Sequence, residues 1–233
     1  MKLSELFQNL ALGELSSSSL VSIGSYEIDS NQLPKVIHSV NQALEYFYSN
    51  FPLKLNEVVI QLRQDTSLYY LDSEYAYSNP NGSNYKFICD SLEKPFQDDV
   101  LHILEVSDTS GNIFPLNDSN SAYSIHTPEY NCIRTNNINR QYLVVKYQAN
   151  HPKIPLTETI SSNVRIQIPS SYRTALQTYI ACLVLQNMGG SHLSESNALF
   201  AKFKTLTEEL KLQGIGTVTQ TGSNIKPQLR GWI

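Results

Sequence analysis

Five histidines, three cysteines and two adjacent acidic pairs are the first side chains of this sequence to weigh for chemistry. The histidines are His38, His102, His126, His151 and His192. No two are separated by two to five residues, the spacing that sets two imidazoles on one element for a metal. His126 and Cys132 stand six apart across Pro128, so a turn there could bring a thiol against an imidazole. A nucleophilic pair of that kind also needs a group to orient its base, and nothing nearby marks one. Cys89, Cys132 and Cys182 are far apart, odd in number and form no CxxC pair. They read as small buried hydrophobes.

The acidic pairs are Asp98-Asp99 and Glu208-Glu209. A glycosidase needs two facing carboxylates about 5 to 9 Å apart. Neighbours on a strand point to opposite faces. Asp98-Asp99 therefore reads as a polar turn before a strand, and Glu208 and Glu209 as the solvated side of a helix. The sequence contains no GxGxxG, GxxxxGK[ST], GxSxG or HExxH. The expectation is a chain with no catalytic residue, no cofactor and no metal.

Composition carries more. Only 16% of the 233 residues are charged, against about 25% in typical soluble domains. Polarity comes instead from Ser, Asn, Gln and 14 Tyr. Charge depletion with Tyr enrichment suits a surface covered by neighbouring proteins. Codon bias of an AT-rich genome gives the same composition, and the two explanations stay open. The net charge of −4 and the scattered 17 basic residues argue against a nucleic-acid ligand, which needs a concentrated basic face. No apolar run approaches the length of a membrane span. The start, Met1-Lys2-Leu3-Ser4-Glu5, lacks the features of a signal peptide, so synthesis in a cytoplasm is expected.

The elements that would position these side chains change type along the chain. Leu3, Leu6, Phe7 and Leu10 have helical spacing. Ser16 to Ser19 with Gly24 reads as a loop. Leu33, Val36, Ile37, Val40, Ala43, Leu44, Phe47, Tyr48 and Phe51 predict an amphipathic helix, with Asn31 as N-cap, Pro34 in the first turn and Pro52 closing it. Period two follows, with Val58, Ile60 and Leu62 on one face, a hairpin of Val100–Val106 with Ile113–Leu116, and a strand at Tyr142–Tyr147. Val164, Ile166 and Ile168 read as a last strand. About five to seven strands of this kind predict a small sandwich or a curled sheet. Helices return from Pro169 to Gly189-Gly190, the first buried nearly all round, and then from a cap at Ser194 or Ser196 through Leu199, Phe203, Leu206 and Leu210 to Gly214.

The expected fold class is α+β: N-terminal helices (1–52) and C-terminal helices (169–213) form one bundle, a β-rich insertion (53–168) lies between them, and 214–233 is an extended arm. The last twenty residues carry no acid and no periodicity, yet end in Leu229-Arg230-Gly231-Trp232-Ile233 with the only Trp. Trp and Arg are the types richest in interface hot spots. An extended strand can also add to a partner's sheet edge.

Several phrases resemble the head-to-tail adaptor proteins of short-tailed bacteriophages, also called head-completion or neck proteins. They are Pro95-Phe96-Gln97-Asp98-Asp99-Val100-Leu101, Phe114-Pro115-Leu116-Asn117-Asp118, Thr127-Pro128-Glu129-Tyr130-Asn131-Cys132-Ile133 and Tyr147-Gln148-Ala149-Asn150-His151-Pro152-Lys153-Ile154. Ile168-Pro169 before the Ala175-Leu176 helix, and the terminal Arg230-Gly231-Trp232-Ile233, extend the likeness over most of the chain. None of these phrases is catalytic, and their order together carries the match. The resemblance implies a structural virion protein. It would form a dodecameric ring beneath the capsid portal protein, carry the tail nozzle, help retain DNA and let it pass through the lumen without specific binding. It would be made in the host cytoplasm and end in the neck of the particle, away from any membrane. The family's arm reaches toward the portal, which assigns portal or subunit docking to Ile225, Leu229, Arg230, Trp232 and Ile233. The alternatives are another tail component or a glycan-binding β module.

Overall fold

A computed structural model describes residues 1–22, 26–135, 140–159, 161 and 163–213. The chain is α+β, with four α-helices and eight short antiparallel strands among these residues. The arm, with Ile225, Leu229, Arg230, Trp232 and Ile233, lies outside them. No described helix is long and apolar enough to cross a membrane.

The helices are α1 (Leu3–Leu12), α2 (Leu33–Asn50), α3 (Arg173–Met188) and α4 (Leu193–Leu212). Each turns its apolar stripe to one shared core. Leu3, Leu6, Phe7 and Leu10 of α1 meet Val36, Ile37, Val40, Leu44 and Phe47 of α2, with Leu176, Ile180 and Leu185 of α3 and Leu199, Phe203 and Leu210 of α4. The centre is aromatic. Phe203 stacks on Tyr179 at 4.2 Å and 12° between planes, and meets Tyr46 at 5.3 Å and Phe47 at 5.9 Å. α3 is buried on nearly every side and ends at Gly189, whose φ of 67° suits a residue without Cβ.

Two expected caps fall elsewhere. Gln32, not Asn31, precedes α2 and makes no side-chain capping bond. Asn31 sits in a turn ahead of the helix, its backbone N–H donating to Asp29 Oδ1 at 2.9 Å. At α4 the flanking residue is His192. Ser196 lies inside the helix and is buried, its hydroxyl donating to the Cys182 carbonyl at 3.0 Å, so it joins α3 to α4.

The strands are β1 (Leu55–Gln61), β2 (Leu68–Tyr70), β3 (Ile88–Cys89), β4 (Val100–Asp108), β5 (Ile113–Phe114), β6 (His126–Glu129), β7 (Cys132–Arg134) and β8 (Tyr142–Ala149). Five form a sheet in the order β3-β1-β8-β4-β5, and three form a second in the order β2-β7-β6. Their inward residues share one apolar cluster: Val58 and Ile60 face Val145 and Leu143 across β1 and β8, and Tyr69 and Ile133 come from the smaller sheet. β4 departs from period two. Its buried residues are Val100, Ile103, Val106 and Asp108, because register shifts against β8 after Val100 and after Ile103 each insert an extra residue. Leu101 thereby packs against the helical cluster.

No described strand forms at Val164–Ile168. Arg165 makes a single bridge to Lys2, while Ile166 and Ile168 are buried in the helical core with Ile154. Alternation there reflects a segment laid over helices, which buries every second side chain without a ladder.

The β4–β5 hairpin is closed by Asp108. Its carboxylate accepts from the Asn112 side chain and amide and from the Ser110 amide, each at 2.9 Å, and from Arg140 Nε at 3.1 Å. These donors, Asn112 foremost, lower its pKa from 3.8 to about 2. A carboxyl whose folded pKa is depressed contributes stability above its unfolded value and loses it as pH falls through the folded one. Between pH 4 and pH 2 the wild type should therefore lose more melting temperature than Asp108→Asn. Parallel acid profiles by calorimetry contradict this.

Candidate functional site

The most extensively bonded polar cluster lies where the helical and β cores meet. Two links connect them: an outgoing one from Phe51 at the end of α2 to Lys54 before β1, and a returning one, residues 150–154, after β8. Asp99, at the foot of β4, ties both. Its carboxylate takes Lys54 Nζ at 2.8 Å, Asn56 Nδ2 at 3.1 Å and the Tyr147 hydroxyl at 3.0 Å. Its carbonyl takes the Asn150 amide at 2.7 Å, and the Lys54 carbonyl takes the Ala149 amide at 2.9 Å.

The helical side is fastened similarly. Gln148 Nε2 donates to the carbonyls of Tyr48 and Phe51 at the end of α2. Asn41 on α2 clasps Ile154 twice, Nδ2 to its carbonyl and Oδ1 from its amide, both at 2.9 Å. The Tyr48 hydroxyl donates to the Gln167 carbonyl, and burial pushes its pKa up to about 12. Burial, then Asp99, raises that of Tyr147 as well, so both phenols stay protonated donors.

Asp98-Asp99 is thus not a plain solvated turn. Asp98 adopts φ 53°, and its carboxylate accepts from the Ser73 amide and hydroxyl, each at 2.5 Å. The two carboxylates engage different segments and do not face each other across a space for a sugar. The Asp99 side chain is 9% exposed with three donors on it. Removing one partner of such a pair costs about 3 kcal/mol or more, here discounted because Lys54 retains some access to water. Asp99→Ala should accordingly lower stability by about 2 to 3 kcal/mol. Asp98→Ala, at an exposed site, should cost under about 1 kcal/mol. Urea denaturation of the two variants tests the order, and equal losses contradict the clasp.

The thiol–imidazole pair does not form. Register sets His126 opposite Arg134 and Cys132 opposite Glu129. Burial, and then Glu129, pushes the Cys132 pKa up to about 11, so the thiol is not a thiolate at neutral pH. Cys182 is buried against Ser196. His38 and the pair Glu208 and Glu209 are exposed on their helices. No group of three or more His, Cys, Asp or Glu side chains among the described residues could hold a metal ion.

Asp99, Gln148 and Tyr48 were not singled out from the sequence as working together. Gln148 gave a signal: a polar side chain near the end of β8, one residue short of Asn150-His151-Pro152. Three donors meet the Asp99 carboxylate and the cluster holds segments in place; within it no free nucleophile stands beside a base. No family model matches the chain, and no curated protein matches it.

Proposed function

We propose that this protein is a structural adaptor of a virus particle: a helical bundle with an inserted β-rich domain that assembles as a ring between the capsid portal and the tail nozzle, its lumen passing DNA. The observation that carries this reading is the chain's organisation. Helices from before and after the β strands share one core, the strands between them share another, and two links clasped by Asp99 and Gln148 join the two. That arrangement fits the adaptors the sequence resembles.

The described surface supports the same reading. Tyr77, Tyr85, Leu92, Ile113, Tyr123 and Tyr130 of the β-rich part are exposed. Exposed aromatic and apolar side chains suit contact with other proteins. A heterologous ring would cover two different faces of each subunit, and the net negative charge would keep phosphate from adhering to the lumen. The alternatives, another tail component or a glycan-binding β module, lack the requirement for a portal. Size-exclusion chromatography of the chain mixed with portal rings tests the reading: co-elution as a ring-on-ring complex supports it, and persistent separation opposes it.

A further inference from the structure

His151 sits on the returning link and is 8% exposed. Its Nδ1 lies 2.6 Å from the Pro152 carbonyl. A carbonyl only accepts, so the imidazole proton is on Nδ1. Nε2 is then a bare acceptor, and it is buried with no hydrogen-bond partner among the described residues. The ring stands edge-on to Tyr48 of α2, 5.4 Å between centroids.

The titratable and charged groups around it come from three elements. Tyr48 faces it from α2. Lys54 bears on it from the outgoing link. Behind Lys54 stand Asp99 of the β4 foot and Tyr147 of β8, bonded to each other and, through Asp99, to that lysine. Among the described residues no carboxylate pairs with the imidazole, and Lys153 beside it in sequence is exposed. A second proton on His151 would therefore create a buried N–H without an acceptor and a desolvated charge near an ammonium, both unfavourable.

We propose that His151 is a protonation latch: neutral, it closes the junction between the helical and β cores, and on gaining a proton it leaves its seat and uncouples them. This inference stands independently of the adaptor reading, since it uses only the junction. Its pH direction follows from the environment. Burial first, and Lys54 second, hold the folded pKa below the ordinary 6.5, with the Pro152 carbonyl offsetting part of this. The neutral form is thus favoured in the folded state. Its contribution is complete above pH 6.5 and is lost as pH falls below that value toward the lowered one.

Hydrogen exchange followed by mass spectrometry at pH 7.5 and 5.5, corrected for intrinsic rates, tests the latch. In the wild type, peptides covering 51–54 and 148–154 should lose protection about tenfold at pH 5.5, while the centre of α3 keeps its own. His151→Gln, which cannot ionise, should exchange alike at both values. Unchanged wild-type protection, or equal acid loosening in H151Q, overturns the proposal. Should H151Q fail to fold, an NMR titration of the wild-type imidazole decides. A pKa below 6.5 with coupled shifts at 51–54 supports the latch, and titration at 6.5 or above without them overturns it.

Discussion

Phe203→Ala is expected to be the most damaging single truncation in the helical core, at about 4 kcal/mol. Phe203 is 2% exposed and is the point where α2, α3 and α4 meet. Its ring stacks on Tyr179 of α3 and edges against Tyr46 and Phe47 of α2. Truncation removes a large transfer contribution and leaves a cavity walled by aromatic rings that cannot easily collapse inward. For a chain of this size each kcal/mol moves the melting temperature by about 2 to 4 °C, so a fall of about 10 °C is expected. Leu212→Ala, at an exposed end of the same helix, should stay within about 0.5 kcal/mol. A Phe203→Ala protein melting within about 3 °C of wild type would contradict the packing described here.

The second large effect concerns attachment. On the adaptor reading, deletion of Leu229–Ile233 should abolish binding to portal while leaving the melting temperature of the free chain nearly unchanged. Leu229, Arg230, Trp232 and Ile233 concentrate residue types that dominate interface energetics. The described helical core is lined by Phe7, Phe47, Tyr172, Phe203 and their neighbours. Residues 214–233 carry too few apolar side chains to build a core of their own. Pull-down on immobilised portal and calorimetry of the truncated chain measure the two halves separately. Full binding by the truncated protein places docking elsewhere. A large fall in melting temperature means that Trp232 folds back onto its own chain.

α1, α2 and α4 were legible because each buries a stripe that leaves a 3.6-residue period, as Leu33 to Phe51 did for α2, and α3 because an apolar run buried nearly all round sits between Pro169 and Gly189. The β1 and β8 strands were legible for the corresponding reason, with one face of each buried and the facing pair in register. β4 and the segment before α3 were less so. Two register shifts turn β4's buried spacing into threes, and Ile166 and Ile168 alternate against helices rather than in a ladder. Both depend on tertiary partners that a local pattern does not encode.

The junction was legible only as fragments. Asp99, Lys54, Tyr147 and Gln148 are brought together by β1, β8 and β4 lying side by side, from positions as much as 94 residues apart between Lys54 and Gln148. A single acid in a polar doublet reads as a turn until that topology supplies its three donors. Helix caps were misplaced because Asn31 belongs to a turn that ends one residue short of the helix flank, and Ser196 lies inside α4 with its hydroxyl on the Cys182 carbonyl of α3.

On the adaptor reading, this chain makes a ring on a portal. A ring that closed early would obstruct DNA packaging, so the free protein should be a monomer or a weak oligomer and close only on its template. Mass photometry of the purified chain, alone and with portal rings at equal subunit concentration, tests this most directly. A species near the mass of one chain is expected when alone, and with portal a complex heavier than the portal by a dodecamer of the chain. A portal whose mass does not change, under conditions where the chain is folded, would contradict it.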